Sequence, residues 1–286
     1  MDNATIANDK HAAGFSLIEL IVVIAIVGIL AGIVAVFIRS PMQGYLAASR
    51  RAELTDTADG ALLRIARDVR SALPNSVRVT QVGTAFYLEY LPIEDGGRYR
   101  EQRDNNADCS DPATAGCDIL DFTSADTTFD VLGPTVTASS SQFLVIYNRG
   151  LDGDTDAWRG GNRRAVTSNG AVANLAFTAT SRFPFESPSQ RFYLVGAPVS
   201  YVCDSTAGTL RRFSGYGDPT AAQPTSFGST TGNLLANRVK ACNMVYDPGA
   251  SQRLGQLTLW LQLENNEGGN AEQVSLYREV VVNNDA

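Results

Sequence analysis

The sequence predicts an α+β protein in which one long N-terminal, membrane-anchored helix packs on an antiparallel β-sheet head. Three observations carry this. The 19 residues from Leu20 to Ile38 hold no charge and are almost all aliphatic. Leu54, Ala58, Leu62, Ile65, Val69 and Leu73 then recur at steps of three and four, the pattern of a helix with one buried face. From Ser76 onward a period of two takes over. It is clearest where Leu257, Leu259, Leu261 and Leu263 alternate with Thr258, Trp260 and Gln262.

The apolar run is long enough to span a bilayer, because ~20 helical residues cover its hydrocarbon core. No small-residue cleavage site follows it, as would follow the core of a secretory signal, so the run is expected to stay on the protein as an anchor. Glu19 stands at its head, four positions after Phe15. A carboxylate there is costly unless it snorkels to the headgroups or finds a partner. Beyond Ile38 the helix is expected to continue, with Pro41 placed to kink or locally break it. Asp59, Arg64, Asp68 and Arg70 read as a solvated face with weak helical pairs. Pro74 and Asn75 are expected to end the helix.

Nine strands are predicted: 77–80, 85–91, 142–148, 191–195, 199–203, 209–213, 239–246, 256–264 and 274–282. The stretches 94–128, 150–171 and 215–232, rich in Gly, Asn, Asp, Ser and Thr, read as loops. About 200 residues in this part are enough for one sizeable core, hence one domain.

Composition narrows the chemistry. With 23 Lys and Arg against 30 Asp and Glu, the net charge of -7 argues against a nucleic-acid-binding body. The single histidine is His11, so Ser-His-Asp and Cys-His sets are not available to the rest of the chain. No phosphate-binding glycine loop occurs, and no carboxylate pair is positioned for hydrolysis. The expectation is no catalytic residue and no cofactor. Cys109, Cys117, Cys203 and Cys242 all follow the apolar helix, and an even count in an exported domain favours disulfides. Of three possible connectivities, Cys109–Cys117 and Cys203–Cys242 are expected, since the first pair shares a short loop and the second lies on strands that would be neighbours. A zinc site is disfavoured by the spacing. Asp152, Asp154 and Asp156 resemble the start of a Ca²⁺ loop, but Ala157 and Arg163 stand where glycine and glutamate would be needed. An exposed acidic turn is the expected reading, with no metal.

The string Gly14-Phe15-Ser16-Leu17-Ile18-Glu19-Leu20 ahead of a long aliphatic helix closely resembles the class III signal of type IV pilins and type II secretion pseudopilins. The resemblance implies that prepilin peptidase cuts between Gly14 and Phe15 and methylates the new N-terminus. It further implies that Glu19 neutralises the amine of Phe15 on an adjacent subunit, which lowers the cost of burying both charges in a filament core. The domain expectation is a leader over 1–14, a transmembrane and filament-core helix over 15–38, an amphipathic continuation over 39–75, and a periplasmic β-rich head over 76–286. Asp2 and Asp9 make this leader less basic than most.

A narrower resemblance follows the helix. Arg70-Ser71-Ala72-Leu73-Pro74-Asn75-Ser76-Val77-Arg78-Val79, the stretches 187–195 and 198–203, and Leu210-Arg211-Arg212-Phe213-Ser214-Gly215-Tyr216-Gly217 look like the MshO-type minor pilins of the mannose-sensitive haemagglutinin pilus system. This implies a low-abundance assembly subunit in the bacterial inner membrane. Its partners would be prepilin peptidase and other minor and major pilins. Two alternatives stand beside it, a minor pseudopilin of a type II secretion system and a membrane-anchored periplasmic binding protein or hydrolase.

Overall fold

Aliphatic and small residues dominate the first 50 residues of the helical region, and neither Gly28, Gly32, Gly44 nor Pro41 interrupts it: α1 runs unbroken from Leu17 to Arg70. The expected break at Pro41 therefore does not occur. Proline removes a single backbone hydrogen bond, and the helical ladder continues on either side of it. The structure, a computed structural model, describes residues 14–105, 107–111, 114–178, 181–249, 254–266 and 271–286, and of residues 39–41 the backbone. Residues 1–13 of the expected leader lie outside these. The chain divides into two compact units, one up to Arg50 and one from Arg51.

In the second unit α1 ends at Arg70, four residues before Pro74, because the Ser71 N–H turns back to the Asp68 carbonyl at 3.1 Å and Ala72 then bridges to Pro92. Asn75 follows with φ 59°, left-handed, and its side-chain amide donates to the carbonyls of Asn148 and Asn284 at 2.9 and 3.0 Å. The strands come in the order β1 (Arg78–Val82), β2 (Ala85–Tyr90), β3 (Ile93–Tyr99), β4 (Thr128–Leu132), β5 (Val136–Ala138), β6 (Phe143–Ile146), β7 (Arg163–Ala165) and β8 (Gly170–Val172). They continue with β9 (Asn174–Ala176), β10 (Arg191–Val195), β11 (Val199–Asp204), β12 (Thr209–Ser214), β13 (Asn233–Asn237), β14 (Val239–Asp247), β15 (Leu254–Asn265) and β16 (Glu272–Asn283).

All pairings among them are antiparallel. They form a five-stranded sheet β1-β2-β11-β12-β13, a six-stranded sheet β7-β6-β10-β3-β4-β9, a three-stranded sheet β14-β15-β16 and the pair β5-β8. β2 pairs directly with β11, so everything from β3 to β10 is an excursion between two neighbouring strands. That excursion carries a core of its own. Phe129 lies edge-on to Phe192 at 5.1 Å, and Phe177 and Phe183 meet at 5.7 Å. The single core expected from length is thus divided.

The other large core gathers Leu54, Ala58, Leu62, Ile65 and Val69 of α1 with the inner faces of the five- and three-stranded sheets. The leucines at 257, 259, 261 and 263 all point into it. All nine predicted strands form, with ends shifted by a few residues. β3, β7 and β8 take up parts of the predicted loops, β4 begins at the last residue of one, and β5, β9 and β13 form where no element was predicted. β3 was hidden by Asp95-Gly96-Gly97, a poor strand sequence. The glycines are required there, since a Cβ on Gly96 would sit 2.9 Å from the Phe192 carbonyl and one on Gly97 3.1 Å from the Phe192 ring.

Candidate functional site: the N-terminal segment and the polar clamps of the head

Gly14 and Phe15 precede the helix in non-helical backbone, with nothing near the position of a Gly14 Cβ and Phe15 82% exposed. Ser16 caps α1. Its hydroxyl oxygen accepts the Glu19 N–H at 3.3 Å, and its carbonyl accepts the N–H groups of Glu19 and Leu20 at 3.1 and 3.2 Å. The Glu19 N–H, a donor that a helix start leaves orphaned, is thereby satisfied, and the Leu20 N–H makes the first i→i−4 bond of the helix. Glu19 falls in the first turn, where the helix end favours a carboxylate. Sequence reasoning passed over Ser16, although Ser16-Leu17-Ile18-Glu19 has the Ser-x-x-Glu spacing of a capping box, of which the Ser16 half forms.

Along the described part of the first unit the apolar side chains stand open, Ile18 at 72% and Phe37 at 75% exposure. Among the described residues one helix is long and apolar enough to cross a membrane. Apolar surface on this scale calls for lipid or for other helices.

The head holds two polar clusters, one half-buried around Asp68 and one buried around Glu89, that sequence reasoning did not identify. Asp68 accepts the Tyr201 hydroxyl at 2.7 Å, Arg212 Nε at 3.1 Å and the Tyr90 hydroxyl at 3.3 Å, and it pairs with Arg64 at 3.1 Å. Burial opposes the Asp68 charge, but the Tyr201 hydrogen bond and the charges of Arg64 and Arg212 outweigh it and hold the carboxyl below its ordinary value. The reading of the helix charges as a solvated face is corrected here: Asp68 ties α1 to β11 and β12, and Asp59 reaches Arg278 of β16 at 2.7 Å. The available signal was position, since Asp68 directly precedes the buried Val69.

On the outer side of the five-stranded sheet, Glu89 is 1% exposed. It accepts the Tyr216 hydroxyl at 2.7 Å and pairs with Arg78 at 2.6 Å. Burial pushes its carboxyl up, against the Tyr216 hydrogen bond and Arg78, which pull it down. Arg78 also lies 3.7 Å over the Trp158 ring.

Cys109 is bonded to Cys117, and Cys203 to Cys242. The second bridge links β11 to β14. The Asp152 carboxylate is turned onto its own loop, accepting the N–H groups of Asp154 and Thr155 and the Thr155 hydroxyl. Asp156 accepts the Trp158 N–H and pairs with Arg159. Asp152, Asp154 and Asp156 do not converge, and among the described residues no group of three His, Cys, Asp or Glu could hold a metal ion.

Comparison with known proteins bears on the first unit. Residues 9–35 match the prokaryotic N-terminal methylation motif. The chain carries a type IV pilin-like prepilin signal. A prepilin signal implies processing by prepilin peptidase and assembly with other pilins, and proteins that bear it are structural rather than catalytic. With the apolar helix behind it, the prepilin signal makes this a single-pass, membrane-anchored chain with a soluble head. No curated protein and no solved structure matches the chain.

Proposed function

We propose that this chain is a minor pilin of the MshO type, cut between Gly14 and Phe15, N-methylated on Phe15, and held in the bacterial inner membrane by residues 15–38. In this reading residues 39–75 continue the helix as its amphipathic part and residues 76–286 form a periplasmic head. Glu19 receives the Phe15 amine of a neighbouring subunit. The observation that carries the proposal is the prepilin segment itself. An exposed Phe15, a helix start fixed by Ser16 and a carboxylate in the first turn stand together at the head of an uncharged apolar run.

The chemistry follows from that placement. Cutting ahead of the helix leaves the anchor on the mature protein, so the subunit waits in the bilayer until it is taken up. The new amine and Glu19 then offset each other's desolvation in a packed helical core. The order of the head motifs around 70–79, 187–203 and 210–217 supports the MshO type over a type II secretion pseudopilin. Intact-mass measurement of the membrane-extracted protein tests the processing step. The expected result is loss of residues 1–14 and one added methyl on Phe15; a full-length, unmethylated chain from cells with active prepilin peptidase overturns it.

A further inference from the structure

Among the described residues β14 pairs as a strand with β15 alone; its other edge is held at Val239, whose N–H donates to the Gly208 carbonyl at 3.0 Å, and over Asn243–Tyr246 that edge has no strand partner. β14 packs against β11, β2 and β1, and the Cys203–Cys242 bridge holds it there. Beside this free edge, over Asn243–Tyr246, lies a groove of about 480 Å³ whose opposite wall is β1 and Phe86. Val79, Phe86 and Tyr246 are only partly buried, so the groove has an apolar floor that nothing yet covers fully. Val245 at the rim is 51% exposed.

The groove defines what fills it. A row of alternating N–H and C=O groups is matched by another extended backbone, and side chains at every second position then reach the floor. Asn243–Tyr246 gives room for about four such residues at ~3.3 Å each. Arg78 is the one charged lining residue, and its guanidinium is already engaged by Glu89 and by the Thr220 and Ala221 carbonyls. A charged side chain entering the floor would lose its water and gain no partner.

We propose that this groove receives an extended, uncharged segment of another polypeptide, added as a fourth strand along β14 with alternate apolar side chains set on Val79 and Phe86. The proposal stands independently of the pilin reading.

The test uses the full chain in detergent and an acetylated, amidated heptapeptide, Thr-Val-Thr-Leu-Thr-Val-Thr. Its control is Thr-Val-Pro-Leu-Pro-Val-Thr, which keeps the apolar residues but loses backbone donors and the strand conformation. Hydrogen exchange at 243–246 should slow at least tenfold with the first peptide, and the control should bind at least tenfold more weakly. Equal binding of the two peptides, or unchanged exchange at 243–246 up to millimolar peptide, overturns the proposal. So does a concentration-dependent dimer that protects those amides without peptide, since the groove would then serve a second copy.

Discussion

Asp68 and Glu89 are both carboxylates beside tyrosines and arginines, yet their ionisation contributes to stability with opposite signs. Asp68 is held below its ordinary value, chiefly because the Tyr201 hydrogen bond, Arg64 and Arg212 overcome the burial penalty. A depressed carboxyl contributes stability above its unfolded pKa, and that contribution is lost as pH falls through the folded value. Glu89 is pushed up by burial, so the folded state holds its proton longer than the unfolded chain does. Its contribution is present below the unfolded pKa and is lost as pH rises through the folded value. D68N should therefore cost about 1–3 kcal/mol at pH 7, with less difference from wild type at pH 3. E89Q should instead gain on wild type as pH rises from the ordinary glutamate range, about 4, towards neutrality, because glutamine has no proton to lose. Urea unfolding followed by tryptophan fluorescence across this pH range checks both signs.

At the scale of elements, the two disulfides close loops of very different length. Cys109–Cys117 spans a separation of 8 residues, while Cys203–Cys242 spans 39 and links strands of two different sheets. In the chain-entropy account a longer loop restrains the unfolded state more. The double variant C203S/C242S should lose about 2–4 kcal/mol, and C109S/C117S less, read from urea unfolding as lower midpoints with a steeper slope where the freed unfolded chain exposes more surface. The same bridge holds β14 against β11, so its loss should also loosen the groove beside β14. Exchange at 243–246 should then quicken in C203S/C242S and stay as in wild type in C109S/C117S.

At the scale of the whole molecule, the proposed processing leaves a subunit of 272 residues, most of them in the head. A subunit repeated at every helical step must fit its head among neighbours on all sides. A head enlarged by the β3–β10 excursion and the loop over 215–232 suits a position where neighbours are few. We therefore expect this subunit at or near filament ends, in a heteromeric complex with other minor pilins. Immunogold labelling of sheared filaments should show sparse label concentrated at ends; dense label along shafts would refute it.

What the sequence determined by itself is what rests on near neighbours along the chain. Gly14 to Leu20 is one contiguous string, and the 19 uncharged residues after Glu19 specify an anchor by hydropathy alone. The α1 stripe from Leu54 to Val69 and the β15 leucines were legible because burial on one face writes a period into the sequence. What only the tertiary structure decided joins distant residues. Asp68 meets Tyr201 across 133 positions and Arg212 across 144. Gly96 and Gly97 form a strand because they pair with Tyr193 and Phe192 of β10, where Phe192 leaves no space for a side chain. The excursion from β3 to β10 builds a separate aromatic core because β2 and β11 pair with each other on either side of it. Such contacts leave no periodic trace, since one residue's environment is supplied by a segment whose position depends on the whole fold.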